Sequence, residues 1–469
     1  MVGKIILIFF AVAATGCAPL MQRPGFDGVQ TLVGARLPQE IGWRQTEQDR
    51  LSVQARVADQ LKSPLSLDAA LRIALINNPR LQASYEKLGM DYGDLVQAGL
   101  PANPSLSVGL TSSAVGIGRE FGIVQDFFRL LTLAPRKRLA AAQFEETKLT
   151  TAQQVLQLSS DLKRAYFTVA ADQEAFDLVT EAASASNVAA DLAQRQFNAG
   201  NIGTRELALR QEFQARSTLE VSRQELALAQ AREHLSAMMG LPSELRNWQL
   251  GKIPIDASDE IPALNKLEVS ALNDRYDIAA AKKRTARLAD ALGVADRFRY
   301  LSVLGLGVRY ARETDGERLR GPSIELGLPL WDRGQGSRLH MQAALRESER
   351  NLEALALDVI GDVRNAHARA DNAQRAIQHF RSTLLPLHQR IVAETLKFYN
   401  GMLLGVYDVL LARQNQLNAQ RDYVESVKSY WLAKVELEHA IGGLALGTNP
   451  VPQEPAMKTD MPSAEHKHH

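Results

Sequence analysis

The sequence predicts a mainly α protein with a small β part, in which long antiparallel helical hairpins carry short pairs of strands. Three observations lead there. From Leu67 onward the chain runs one programme twice: a short amphipathic helix, two alternating segments around a polar loop, a very long helical stretch, a Gly-centred turn and a return helix. Aromatic residues make up only 6% of the chain, which suits helices packed through Ala and Leu seams better than a compact core filled with large rings. Strand-like alternation is confined to two places, around residues 105–127 and 302–330.

The amino terminus comes first. Lys4, the apolar run Ile5 to Ala14 and the small residues before Cys17 read as an export signal over residues 1–16. The run is too short to span a bilayer. Ala14-Thr15-Gly16-Cys17 resembles the bacterial lipobox, whose cysteine is acylated, although Ala stands where Leu is usual. Ala18, in place of an Asp, points by the same likeness to the outer membrane. Cys17 is the only cysteine and cannot form an intrachain disulfide, so the expected modification is a covalent lipid on Cys17. The bland alternative is a chance cysteine beside an ordinary cleavage site. Residues 17–64, with scattered Pro and Gly, are expected to form an acylated, extended arm. Removing Lys4 with the signal takes the formal charge from +1 to zero, and the remaining charges are well mixed, so nucleic acid is set aside as a partner.

The first repeat is expected over residues 65–245, an inter-repeat linker over 246–264 and the second repeat over 265–445. Phe197-Asn198-Ala199-Gly200 matches Phe398-Tyr399-Asn400-Gly401, Arg138-Leu139 matches Arg338-Leu339, and Met239-Gly240 matches Ile441-Gly442, at offsets of 201, 200 and 202. The long stretches, about 136–199 and 337–398, have almost no Gly or Pro. They place Leu149, Ala152, Leu156, Ser159, Leu162, Tyr166 and Val169, and again Leu352, Leu355, Val359 and Val363, on three-and-four seams. At 1.5 Å per residue such rods reach roughly 90 to 95 Å. Pro386 removes a backbone donor, so a kink or break is expected after Leu385. Gly200 and Gly401 are the expected left-handed caps.

The alternating segments complete each copy. In Ser302 to Tyr310, Leu304, Leu306, Val308 and Tyr310 oppose Val303, Gly305, Gly307 and Arg309, and Ser323 to Leu330 behaves likewise. Leu106, Val108 and Leu110 alternate with Ser105, Ser107 and Gly109, while Phe121 to Phe127 matches less well. Four strands cannot close a barrel, because even small barrels need about eight. Either the hairpins pack on something else or several chains share one barrel.

At these residues the chain resembles the TolC-like outer-membrane factor family, over about residues 65–445. Leu65-Ser66-Leu67-Asp68-Ala69-Ala70-Leu71, with Ala74-Leu75 and Asn78-Pro79-Arg80-Leu81, is similar to the family's opening helix, and Pro329-Leu330-Trp331-Asp332-Arg333-Gly334 to its exit from the second hairpin. The duplicated Phe-x-x-Gly turns complete the set. The resemblance implies a homotrimer in which three chains give four strands each to a shared twelve-stranded transmembrane β-barrel, continued by an α-barrel of helical hairpins. It implies an outer-membrane efflux lipoprotein with a large periplasmic portion. It implies a passive exit duct for drugs or metal ions, working with a periplasmic adaptor and an inner-membrane transporter among outer-membrane lipids.

The same resemblance marks a periplasmic gate at the tips. Asp408-Val409-Leu410 matches a family Asp-Val-Leu just beyond the Gly401 turn, where acidic rings narrow the channel. Tyr407, Gly401 and Gly405 belong to that tip, and Gly200, Arg205 and Glu206 to its counterpart in the first copy. Leu411 stands where a second acid is usual, and the turn is one residue longer. A first-turn carboxylate favouring the positive end of a helix is the plainer reading of Asp408. Met402-Leu403-Leu404 at such a tip reads as a docking or sealing surface.

The chain has no His-Glu-x-x-His, paired cysteines, phosphate-loop Gly-Lys-Ser or Gly-x-Ser-x-Gly, so no enzymatic activity and no bound cofactor are expected. His234, His340, His367, His379, His388 and His439 stand alone on helices. Met457, Met461, His466, His468 and His469 form a speculative metal set, in ligands that suit copper, on a tail (446–469) expected to be disordered. Two other readings stay open: a coiled-coil scaffold lipoprotein that conducts nothing, and an exit duct for secreted polypeptide.

Overall fold

The computed structural model describes residues 22–114, 116–251, 261–300 and 303–443. The signal, Cys17, the Met- and His-bearing tail and the middle of the linker lie outside the described residues.

The arm before the first repeat is helical where an extended segment was expected. It forms α1 (Phe26–Gly34) and α2 (Glu47–Gln60). Phe26, Val29 and Val33 recur at helical spacing and are buried with Leu37, Ile41 and Trp43, against Tyr85 and Leu88. Phe26 meets the Tyr85 ring edge-on at 5.1 Å, and Trp43 donates through Nε1 to Glu86 at 2.8 Å. Thr46 caps α2 reciprocally: its hydroxyl accepts from the Asp49 N–H and its own N–H donates to the Asp49 carboxylate, both at 3.1 Å. Each large side chain so buried contributes roughly 1.5–3 kcal/mol, which ties the arm down.

The opening helix of each copy is a pair. In the first copy it is α3 (Leu67–Asn77) and α4 (Pro79–Ala98). The break falls at Asn78, whose side chain accepts from the Leu81 N–H at 3.0 Å while Pro79 takes the first helical position.

Four strands follow in two hairpins: β1 (Ser105–Ser113) with β2 (Gly116–Asp126), and β3 (Leu304–Arg312) with β4 (Arg318–Leu326). They make one antiparallel sheet in the order β1-β2-β3-β4, so the hairpins of the two copies join edge to edge through β2 and β3. β4 lies earlier than the expected 323–330 segment. Pairing ends at Leu326 opposite Leu304, and Pro329 beyond it has no N–H to extend a ladder.

After the short α5 (Phe127–Leu131), the first rod is α6 (Leu133–Asn198), an unbroken helix of 66 residues and about 100 Å. It returns through α7 (Thr204–Met238). In the second copy, α8 (Leu264–Asp274) and α9 (Tyr276–Phe298) precede the sheet, and Arg275 stands at their corner where Asn77 and Asn78 stand at the first. The rod is α10 (Gln335–His379), a π-helical turn (Phe380–Leu384) and α11 (Leu385–Asn400), returning as α12 (Val406–Ala440). The helix does not stop after Leu385. The donor missing at Pro386 is absorbed one turn earlier, by the wider π turn.

The opening pairs grip the ends of the return helices. Asn77 donates to the carbonyls of Met239 and Gly240 at 3.0 and 2.8 Å, and Arg275 to the carbonyl of Ala440 at 3.2 Å. The expected α6 seam is buried at Ala152, Leu156, Ser159, Leu162, Tyr166 and Val169, and Phe167 stacks on Trp431 of α12 at 4.7 Å. That stack joins the two copies through one core.

Candidate functional site: an amphipathic sheet and a latched helical tip

The register sorts the sheet into two unlike faces. Leu106, Ile123, Val308 and Pro322 form one row on the first face, with Val108, Phe121, Tyr310 and Arg320 beside it. This face is open to the surroundings, with Leu106, Leu110 and Ile324 69%, 73% and 72% exposed. The opposite face carries Ser107, Gly109, Gly122, Gly305, Gly307 and Ser323, with Arg309 paired to Glu120 at 2.9 Å. An apolar outside and a small, polar inside are what a strand needs between lipid and a wet lumen. Among the described residues, no helix is long and apolar enough to cross a membrane.

At the far end of the rods the two tips share one geometry. Ala199 and Gly401 each donate back four residues, to Arg195 and Lys397, and Gly203 and Gly405 start the return helices with nearly equal dihedral angles. The tip register is therefore 199 to 401, an offset of 202 where the Phe-x-x-Gly likeness gave 201. One expectation fails here: Gly200 is left-handed at φ 73°, but Gly401 has φ −80° and Met402 takes the left-handed place at φ 60°. The two turns are equally long, so the second rod runs one residue further into its Phe-x-x-Gly motif before its cap, and the left-handed place falls on Met402. Met402, Leu403 and Leu404 are 94%, 71% and 40% exposed.

Behind the tips, four side chains connect three helices. Tyr407 on α12 donates from its hydroxyl to Gln196 Oε1 on α6 at 2.6 Å, and its ring lies 4.2 Å below the Arg210 guanidinium of α7. Arg210 also pairs with Glu206 at 2.7 Å. Burial pushes the Tyr407 hydroxyl above its ordinary value, Arg210 opposes that and Glu206 adds to it, so the hydroxyl keeps the proton it donates. A cavity of about 390 Å³ lies beside this latch among Ala189, Phe213, Leu410 and Leu411. Asp408 is exposed and turns back on its own helix start, accepting from the Gly405 N–H at 2.9 Å. Arg205 is exposed outside the network. Tyr407 and Glu206 stand out in the sequence; Arg210 does not, although its i,i+4 spacing from Glu206 could have flagged it. Gln196 left no signal.

Further along, α12 is laced to the first hairpin by Arg413–Glu181 at 2.6 Å, Arg421–Glu220 at 3.3 Å, Lys428–Asp172 at 3.1 Å and Glu438–Lys163 at 2.8 Å. The two pairs toward the tip are more exposed than the two toward the base. The hold weakens toward the tip.

The fold matches solved structures over most of its length. The outer membrane protein VceC of Vibrio cholerae covers 81% of this chain and 96% of its own, with a TM-score of 0.66 and 18% identity. The chain has the fold of these outer-membrane channels. The open-state MtrE outer membrane channel of Neisseria gonorrhoeae matches this chain over 83% of its length and 90% of the channel's, with a TM-score of 0.63 and 16% identity. In sequence the chain is 25% identical, over 393 residues, to the cobalt-zinc-cadmium resistance protein CzcC of Cupriavidus metallidurans, spanning 81% of this chain and 90% of that one. No family model matches the sequence.

Proposed function

We propose that this chain is an outer-membrane factor, three copies of which form the passive exit duct of a tripartite efflux system. The observation that carries the reading is the sheet: its apolar face requires lipid, while β1 and β4 present unpaired edges that lipid does not tolerate. Three sheets joined edge to edge remove every edge and leave the small, polar face around a lumen. The rods then run through the periplasm as an α-barrel. α11 fits this placement, because it buries no residue within one chain and leaves Leu387, Ile391, Leu396 and Phe398 for a neighbouring copy.

The tips meet a periplasmic adaptor through Met402, Leu403 and Leu404, and an inner-membrane transporter supplies the energy. The latch of Gln196, Tyr407, Arg210 and Glu206 holds α12 against the first hairpin in the resting duct, and Asp408 adds a threefold ring of carboxylates at the mouth. Cys17 carries the lipid anchor. Metal cations are the cargo, supported by the likeness to a cobalt-zinc-cadmium resistance protein. Native mass measurement of the detergent-solubilised protein, paired with conductance in a planar bilayer, tests the core of this. A trimer with discrete unit currents is expected. A closed monomer, or a trimer that conducts nothing, overturns the duct.

A further inference from the structure

The lipid-facing side of the sheet is not apolar to its end. Counted along the register from the rods outward, the rows are Leu304 with Leu326, then Gln125, Leu306 and Ile324, then Leu106, Ile123, Val308 and Pro322. Beyond them come Val108, Phe121, Tyr310 and Arg320, and then Leu110, Arg119, Arg312 and Arg318. Arginine thus fills three adjacent strands of one row next to the β3–β4 turn. Arg320 sits one row below, with its guanidinium 5.8 Å from the Tyr310 ring at the rim of the apolar band.

Directly opposed residues on an antiparallel pair stand about 4.5–5.5 Å apart at Cβ, and like charges so placed repel. Here Arg312 faces Arg119 on one side and Arg318 on the other. All three are exposed, and none enters an ion pair among the described residues. The nearby acids form no ion pair with them: Glu120 lies on the opposite face, paired with Arg309, Asp315 accepts from the Glu317 N–H within the turn, and Glu313 and Glu317 are the next backbone pair along the hairpin, alternating away from the arginine row. A row of unanswered guanidinium groups beside an apolar band is complementary to a ligand with acyl chains and an anionic head. Guanidinium forks match phosphate oxygens in pairs of parallel hydrogen bonds.

We infer that Arg119, Arg312 and Arg318, with Arg320 below them, form a collar that binds phosphate groups of lipids in the leaflet around the turn end of the barrel. The inference rests on the trimeric barrel. Bound phosphate offsets the repulsion within the row, so the sheet is tighter with a phosphorylated lipid present than without one.

The test uses the full-length chain, purified in neutral detergent and offered diphosphorylated lipid A, its monophosphorylated form, phosphatidylcholine or inorganic phosphate, with bound mass read by native mass spectrometry. The trimer is expected to retain lipid in the order diphosphorylated, monophosphorylated, phosphatidylcholine. The Arg119→Gln, Arg312→Gln, Arg318→Gln triple variant should lose retention of the diphosphorylated lipid by at least about tenfold with its trimer intact. Equal retention of all three lipids by the unaltered trimer overturns the collar without recourse to any variant. Saturation by inorganic phosphate at the concentrations that saturate the lipid overturns the lipid assignment. A chain that stays monomeric overturns the barrel and the collar together, whereas a conducting trimer indifferent to phosphate overturns the collar alone.

Discussion

The first and second helical hairpins make the same turn and hold it differently. Both return helices are 35 residues long, and their starts at Gly203 and Gly405 and ends at Met239 and Ile441 are each 202 apart. Yet α6 runs unbroken past a long buried seam, while the second rod passes through a π turn and finishes in α11, which buries nothing in its own chain. The first tip closes on an unstrained glycine, the second on Met402 in a left-handed conformation that side chains disfavour. The duplication has kept the backbone plan and changed the hold: in the duct proposed above, the first hairpin is the fixed wall and the second the moving one.

The sharpest way to break that comparison is at the latch. Tyr407→Phe combined with Arg210→Ala should raise resting conductance on the order of tenfold, the equivalent of about 1.4 kcal/mol, while Arg205→Ala, at the position matching Tyr407, should leave it unchanged. Single-channel recording decides; equal effects at both sites would mean that neither hairpin is the moving one.

Next in size are the two caps, expected to respond with opposite signs. Gly200→Ala forces a side chain into a left-handed position and should cost about 1–2 kcal/mol, whereas Met402→Gly relieves that strain and should gain up to about 1 kcal/mol. Urea unfolding of the trimer measures both.

A smaller effect is expected at Asp408. Its bond to the Gly405 N–H and its place in the first turn stabilise the start of α12, so Asp408→Ala should lose about 0.3–1 kcal/mol. If the carboxylates form a ring, the same variant should also weaken block of the current by trivalent cations from the periplasmic side. Unchanged block in a folded trimer leaves Asp408 a helix-start residue.

The smallest expected effect is a pH slope from His439, whose counterpart in the first hairpin is Ala237. Burial pushes its imidazole below the ordinary value, and Arg275 and Arg164 push the same way against Asp161 and Asp277. The folded state therefore keeps His439 neutral. Its contribution is complete above the unfolded value near 6.5 and is lost as pH falls through the lowered folded one. Thermal unfolding at stepped pH should show the acid-side loss in the unaltered protein and less of it in His439→Gln.

Features set by short-range patterning were legible in the sequence. Leu106, Val108 and Leu110 declare a strand face because a period of two fits no helix, and Ala152, Leu156 and Ser159 declare a buried seam because their steps of four and three fit a period of 3.6 and no strand. The features that escaped depend on contacts between distant segments. α1 was hidden because Pro24 and Gly25 read as loop signals, and only burial against Tyr85 and Phe144 makes a helix of the segment after them. The left-handed Met402 was invisible because glycine is the residue that normally advertises that conformation, and Gly401 stood beside it. The latch was half legible. Tyr407 and Glu206 lie in marked turns, but Gln196 is one glutamine among many on α6 until the fold brings it to 2.6 Å from a phenol.

The pairing of β2 with β3 bears on the symmetry of the whole assembly. A chain with one repeat would offer one hairpin and one rod, and a ring of such chains would need sixfold symmetry to reach the same bore, with every position around the mouth identical. In the proposed trimer, joining two repeats through a strand pair inside one chain lowers that symmetry to threefold. Alternate hairpins around the ring can then carry different sequences. An iris in which every blade moves must rearrange all of its contacts at once; one in which fixed and moving blades alternate opens by breaking only the contacts between unlike neighbours. In the proposed duct, covalent fusion of the repeats is what allows the mouth to have a frame.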